Sequence, residues 1–405
     1  MRIIIQPQGL QNLTEVQLMY NDLNKLQVGL RSVMPGIKAV VAVDSFKGSL
    51  TSLEAGEAVR CGLIKACPDA EVTVIPLADG GEGTVDSIAP YVGGLTKTLS
   101  VRGPLGKITE ASYIYEPVSR TAYIEMAKAA GLTLLSEDER DPYLTTTYGV
   151  GELMKDAILS GARKLIICIG GSATNDGGAG MLQALGAKLL DKDGNEIKLG
   201  AIGLKDLYEA DFTGLIGKDV QIVAASDVTN PLCGPDGASF VYGPQKGASQ
   251  KACEEMDGWL KNFAEISGFD PYEKGTGAAG GMSFALKNIL GAELRSGAEI
   301  VMEITGAEDL IRESDIVITG EGRIDSQTLN GKAPFMVMKA GVRYGKPVIG
   351  ICGITGDGYE ECLKAGFKKI APLNHPVMET SEAIRSVEET VRELFTQDRI
   401  SLIKA

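Results

Sequence analysis

Short, almost unbroken apolar runs recur along the chain at Ala39 to Val43, Val72 to Leu77, Leu165 to Ile169, Gln221 to Ser226, Ile316 to Thr319 and Pro347 to Cys352. Runs of that length without polar alternation are the pattern of parallel strands covered on both faces. Stretches of helical period separate them. Thr51 with Glu54 forms a capping box that opens a helix reaching about Cys67, and Val150, Leu153, Met154, Ala157 and Ile158 share one helical face. Tyr359 to Ala365 reads as a further helix and Ser381 to Leu394 as a closing amphipathic one. Strand alternating with helix predicts an α/β fold built on a parallel sheet. From about Leu95 the texture changes, because Lys97 to Tyr115 alternates in strand fashion around Gly103-Pro104-Leu105-Gly106, and Thr121 to Met126 is another strand. Antiparallel strands therefore enter, which predicts a second α/β domain over 95–294, inserted into a first made of 37–94 and 295–405.

Residues 1–36 carry a different pattern. Thr14 and Gln17 pair as a capping box, and Val16, Met19, Leu23, Leu26, Leu30 and Val33 follow at spacings of three and four, which predicts an N-terminal helical extension with a heptad seam. The seam is shorter than a coiled coil requires, so it favours packing against the protein's own body over a homodimer contact. The apolar run Ile3 to Ile5 is far too short for a secretory signal or a membrane span.

Composition narrows the function. A chain of 405 residues, 44% hydrophobic and 23% charged, has the make-up of a soluble globular protein of two or three domains. Its net charge of −13 argues against nucleic acid or an anionic membrane as partner. Any phosphate site must be assembled locally. The seven cysteines include no CxxC pair, and Cys168 lies within a core strand, so they read as reduced thiols in the cytoplasm. The single histidine, His375, lies in a loop. Catalysis by Ser-His or metal-His chemistry is correspondingly disfavoured.

Candidate chemistry gathers at strand ends. Gly170 to Gly180, GGSATNDGGAG, follows the Leu165 to Ile169 strand and leads into a helix. Gly170, Gly171, Gly177 and Gly178 would let the backbone approach a phosphate, while Ser172, Thr174 and Asn175 offer neutral hydrogen-bonding groups. Asp176 in the same loop suits a cation such as Mg²⁺ held between it and a phosphate, and a plain helix cap is the other reading. Asp44 to Ser49 (DSFKGS) and Ala78 to Thr84 (ADGGEGT) likewise follow strands, where open α/β sheets bind ligands. After Ile316 to Thr319 come Arg323, whose planar fork matches a carboxylate, and Asp325, which suits a hydroxyl or else pairs with Arg323 to shape the loop. Gly275 to Gly280 spells a literal GxGxxG, but Asp270 to Lys274 before it is a turn. Neither a dinucleotide fingerprint nor a GxxxxGK[ST] phosphate loop is therefore present.

Taken together, DSFKGS at Asp44, ADGGEGT at Ala78, GGSATNDGGAG at Gly170, GAAGG at Gly277, and TGEGRIDSQT with GKAP from Thr319 resemble the bacterial glycerate kinase family. The resemblance runs in order from Lys38 nearly to the C-terminus and leaves residues 1–36 as an extension outside it. It implies ATP-dependent phosphorylation of D-glycerate, most often to 2-phosphoglycerate with 3-phosphoglycerate the other product, and a Rossmann-like domain facing an inserted one across an active-site cleft. Phosphoryl transfer relies on positioning and charge neutralisation. On that reading Gly170 to Gly178 serve the nucleotide phosphates, Asp176 holds Mg²⁺ or the substrate hydroxyl, and Lys47 meets the transferring phosphoryl group. Arg323 holds the glycerate carboxylate, Asp79 and Asp325 orient the hydroxyl, and Asp227 is a second metal candidate. A non-catalytic glycerate sensor and a nicotinamide oxidoreductase are the readings from other classes.

Overall fold

The computed structural model describes residues 36–46, 48–373 and 379–403. The heptad seam within residues 1–35, Lys47 and His375 lie outside them. Two large sheets dominate. The first is five parallel strands: β1 (Lys38–Val43), β2 (Glu71–Pro76), and then, from far along the chain, strands at Ile316–Ile324, Val348–Thr355 and Phe367–Pro372. The second draws β3 (Leu95–Arg102), β4 (Ile108–Glu116), β5 (Thr121–Glu125), β6 (Lys164–Cys168), β9 (Gln221–Ala225) and β10 (Glu293–Arg295), with a small hairpin of β7 (Lys188–Leu190) and β8 (Glu209–Asp211) outside it. Calling the three late strands β11, β12 and β13, the orders are β13-β12-β11-β1-β2 and β10-β9-β6-β5-β4-β3. β5, β6, β9 and β10 run parallel, whereas β3 and β4 pair antiparallel through the 103–106 turn and β4 and β5 through the turn at 117–120.

Apart from the edge strand β2, where Thr73 is exposed, the apolar runs are buried on both sides, and alternate residues serve different layers. Ala39, Val41 and Val43 join a core under the helices Ser52–Ala66 and Thr380–Ile403, whereas Val40 and Ala42 join one with Val317 and Val348 under Ala333–Arg343. Leu165 and Ile167 face the helix Tyr148–Leu159 and Phe263, while Ile166 and Cys168 face Val85 and Ile88 of the helix Thr84–Val92. One helix belongs to both bodies. Gly297–Thr305 gives Ala298 and Met302 to the first sheet's core and Ile300 and Val301 to the second's. It is the wedge that sets the two sheets relative to each other.

Three elements differ from the sequence pattern. β11 continues through Gly320 to Ile324, with Arg323 opposite Ile354, although its glycines read as a break. A Cβ at Gly320 would lie 1.9 Å from the Ile351 carbonyl oxygen, so glycine here permits close strand packing. β13 carries Lys368 and Lys369 and too little apolar alternation to stand out. The helix Gln250–Ile266 is polar on most of its surface and buries only one stripe, including Met256, Leu260 and Phe263. Among the described residues no helix is long and apolar enough to cross a membrane.

Candidate active site

The strand order of the first sheet reverses at β1, which has β2 on one side and β11 on the other. Open α/β sheets bind ligands beyond the carboxyl ends of strands at such a point. A cleft of about 900 Å³ lies there, lined by Asp44 and Ser45 after β1, Asp79 to Glu82 after β2, Gly170 and Gly171 after β6, Ser226 and Asp227 after β9, Ala278 and Ala279, and Glu321, Gly322, Arg323 and Lys332. That volume suits a nucleotide-sized ligand. Both sheets contribute walls, and glycine contacts hold them together. The Gly170 N–H donates to the Gly80 carbonyl at 3.0 Å, and a Cβ at Gly170 would lie 2.5 Å from Gly81 Cα.

The cleft's charges are mostly acidic on one side and paired on the other. Asp79 is exposed and accepts from the Gly81 N–H at 2.9 Å. Asp227 stands at the amino end of the wedge helix. Burial pushes its carboxyl up to about 6, opposed by hydrogen bonding from Ser296 and Gly297 and reinforced by the charges of Asp79 and Glu299. Its Oδ2 is buried and has no hydrogen-bond partner among the described residues. Across the cleft, Glu321 is 8% exposed, accepting from the Lys332 ammonium at 3.1 Å and the Thr328 hydroxyl at 2.7 Å. Lys332 is the N-cap residue of the helix Ala333–Arg343, and Ala333 also lines the cleft. Arg323 Nε pairs with Asp325 Oδ2 at 3.1 Å. Asp325 itself caps the turn Ser326–Asn330 through the Gln327 N–H and is not part of the cleft lining.

The Gly170 to Gly180 loop divides in two. Gly170 and Gly171 face the cleft, whereas Ser172, Thr174, Asn175, Asp176, Gly177 and Gly178 turn into the protein and line none of it. Asp176 is fully buried and accepts from the Thr147 N–H at 2.8 Å, the Thr147 hydroxyl at 2.9 Å, the Gly178 N–H at 3.1 Å and the Gly180 N–H at 3.3 Å. The helix start does meet an anion there, and the anion is Asp176 itself. Gly177 and Gly178 adopt φ of 63° and 78° to make that turn. Beneath the loop lies Lys246, 2% exposed, donating to Ser172 Oγ at 2.8 Å and the Thr174 carbonyl at 2.7 Å. Burial pushes its ammonium down to about 7, with the Asp176 charge acting against that shift. Asn175 donates to the Ser239 hydroxyl at 2.8 Å.

Sequence reasoning thus named Asp79, Asp227, Arg323, Gly170 and Gly171, which the cleft brings together, and placed Asp176, Asp325 and residues 172–178 where the structure does not carry the cleft wall. Lys47 lies outside the described residues, while Asp44, Ser45 and Gly48 around it line the cleft. Glu321 and Lys332 went unassigned, although charged residues just past a strand end and at a helix start were the available signal. Ala278 and Ala279 also went unassigned, since the GxGxxG test rejects a cofactor motif without asking what the turn is for. Ala279, Gly280 and Gly281 are consecutive left-handed residues.

Residues 39–400 match the model of the glycerate kinase family. The chain belongs to that family. It is 45% identical over 362 residues to the glycerate 2-kinase of Escherichia coli strain K12, covering 88% of this chain and 95% of that one. Against the glycerate kinase of Bacillus subtilis strain 168 it is 45% identical over 378 residues, covering 90% and 98%. The crystal structure titled as that of a "putative glycerate kinase 2" from Salmonella typhimurium LT2 superposes with a TM-score of 0.78 at 43% identity, covering 91% of this chain and 98% of that one. Membership of the glycerate kinase family makes the chain a phosphotransferase acting on an alcohol group. The sensor and oxidoreductase readings fall away.

Proposed function

We propose that this chain transfers the γ-phosphoryl group of ATP to the 2-hydroxyl of D-glycerate in the cytoplasm, giving 2-phosphoglycerate and ADP. The observation that carries this reading is the cleft itself, which sets Asp44, Asp79 and Asp227 against Arg323 and Lys332 with a side-chain-free glycine wall beside them. Arg323 would grip the glycerate carboxylate, leaving the hydroxyl toward Asp79, which takes its proton as the oxygen attacks phosphorus and the bond to ADP breaks. Lys332, Lys47 and the amino end of the helix Ala333–Arg343 would face the phosphoryl oxygens. Gly170 and Gly171, with Gly80 and Gly81, permit the close approach of a triphosphate.

The residues also fit Mg²⁺. Asp227 offers a buried carboxylate oxygen with no other partner and has Asp79 near enough to raise its pKa. Mg²⁺ is typically held by one or two carboxylates together with nucleotide phosphates, and bound here it would neutralise charge that develops on the phosphates. Support for the 2-hydroxyl comes from the name of the Escherichia coli relative.

The test is a coupled assay of the purified protein with ATP, Mg²⁺ and D-glycerate, the product being identified by NMR. ADP release that depends on D-glycerate, with phosphate on C2, is the expected result. Release without D-glycerate, or none, would sink the activity, and phosphate on C3 would overturn the regiochemistry alone.

A further inference from the structure

Lys246 is a charged side chain buried to 2% exposure, in a short turn, Pro244–Lys246, that lies outside the cleft. Burying an ammonium is costly unless it is paired and hydrogen-bonded. Its hydrogen bonds go to one place, Ser172 Oγ at 2.8 Å and the Thr174 carbonyl at 2.7 Å. Those acceptors belong to the segment that begins with the two cleft-facing glycines, Gly170 and Gly171. The segment's other ties are backbone hydrogen bonds, Leu132 N–H to the Gly171 carbonyl at 2.8 Å, Ala173 N–H to the Ala130 carbonyl at 2.9 Å and Gly170 N–H to the Gly80 carbonyl at 3.0 Å, and one from the Thr145 hydroxyl to the Ala173 carbonyl at 2.8 Å. Lys246 supplies the hold from beneath.

The surrounding network is not one optimised for stability. Thr174 Oγ1 and Asn175 Oδ1, both buried, have no hydrogen-bond partner among the described residues. An incompletely satisfied buried network is worse for stability than an apolar filling of the same volume. What the ammonium does provide is geometric, since it fixes two atoms of one loop on the side away from the ligand.

We propose that Lys246 is a positioning residue for phosphoryl transfer, holding the Gly170 to Thr174 segment so that Gly170 and Gly171 present a fixed surface to the nucleotide phosphates. This rests on the assignment of those glycines to the nucleotide. Lys246 touches no reacting atom. Its effect therefore falls on the nucleotide and spares the glycerate end of the cleft.

Lys246→Met keeps the length of the side chain and removes the charge, and it separates this role from a merely structural one. The KM for ATP should rise at least tenfold while the KM for D-glycerate stays within about twofold. In the substrate-free protein, backbone amides of residues 169–175 should exchange with deuterium at least tenfold faster, with those of Tyr148–Leu159 unchanged. A lower melting temperature with both KM values and the loop exchange unaltered would overturn the proposal. If Lys246→Met fails to fold, Ser172→Ala removes one of the two acceptors and should raise the ATP KM several-fold, and an unchanged value would overturn it equally. Wild-type protein that shows no D-glycerate-dependent turnover counts against the proposed function, whereas the exchange measurement decides the anchoring by itself.

Discussion

Arg323, Asp227 and Asp176 were drawn from strand ends by the same reasoning and came to rest in three different environments. Arg323 lines the cleft with one nitrogen engaged by Asp325. Arg323→Ala should raise the KM for D-glycerate on the order of 10²-fold and leave that for ATP nearly unmoved. Steady-state kinetics with each substrate varied checks this, and the opposite split would put Arg323 on the nucleotide. For Asp227 the pKa of about 6 gives a signed expectation. A carboxyl whose folded pKa is raised contributes stability that is complete below its unfolded pKa and lost as pH rises through the folded one. In metal-free protein, Asp227→Asn should therefore match the wild type near pH 4 and exceed it by on the order of 2 kcal/mol at pH 7. Denaturant titration at the two pH values measures this. Wild-type kcat/KM at limiting Mg²⁺ should fall as pH drops below about 6, and the variant should be slow throughout. Asp176→Asn has a different outcome. It sets an amide against five donors, the Thr146 hydroxyl included, and leaves Lys246 without its counter-charge, costing roughly 3 kcal/mol or more. A clear fall in melting temperature is expected, and a kcat reduced 10²-fold with unaltered stability would return Asp176 to the chemistry. Residue types and their nearness to strand ends were legible in the sequence. Which way each side chain points was not, because two left-handed glycines after Asp176 rotate it inward and no apolar period records that turn.

At the scale of elements, the central parallel strands β1, β6, β9, β11 and β12 were readable because each carries an apolar run covered on both faces, and the capping box of Thr51 with Glu54 marked its helix start correctly. The reading lost its hold where packing, not pattern, decides. Gly320 and Gly322 read as a loop, yet β11 needs them to run beside β12 and carry Glu321 and Arg323 to the cleft. The wedge helix Gly297–Thr305 was equally obscure, since apolar residues on two faces blur the single stripe that marks an amphipathic helix. Its first residue gives a prediction at this scale. A Cβ at Gly297 would come within 2.2 Å of the Asp79 carbonyl carbon and oxygen, so Gly297→Ala must push the helix and the Asp79 loop apart. The expected cost is about 1–3 kcal/mol of stability together with at least a tenfold loss in kcat, because Asp79 and Asp227 separate. Unfolding curves and turnover on the same sample test both, and a variant with unaltered kcat would show that this contact does not set the site.

For the whole molecule, α/β architecture and antiparallel strands beyond residue 95 were legible, and the two sheets carry both. Both sheets and the cleft are built from residues 37–403, so a chain beginning at Met34 should fold and turn over at the full-length rate. Loss of solubility or activity on that truncation would make the N-terminal segment part of the working protein. The strand order has a further consequence, for the time at which each part can form. β1 sits between β2 and β11, and Val41 pairs with Ile318. The first sheet therefore cannot close until a ribosome has delivered nearly the entire chain, and β1 and β2 must wait as a two-stranded fragment too small to be stable alone. The second sheet takes all its strands from one contiguous stretch ending at Arg295, whose contacts close shorter loops and whose formation during synthesis meets no such delay. The later-made part of the gene product thus completes the earlier one around a body already built.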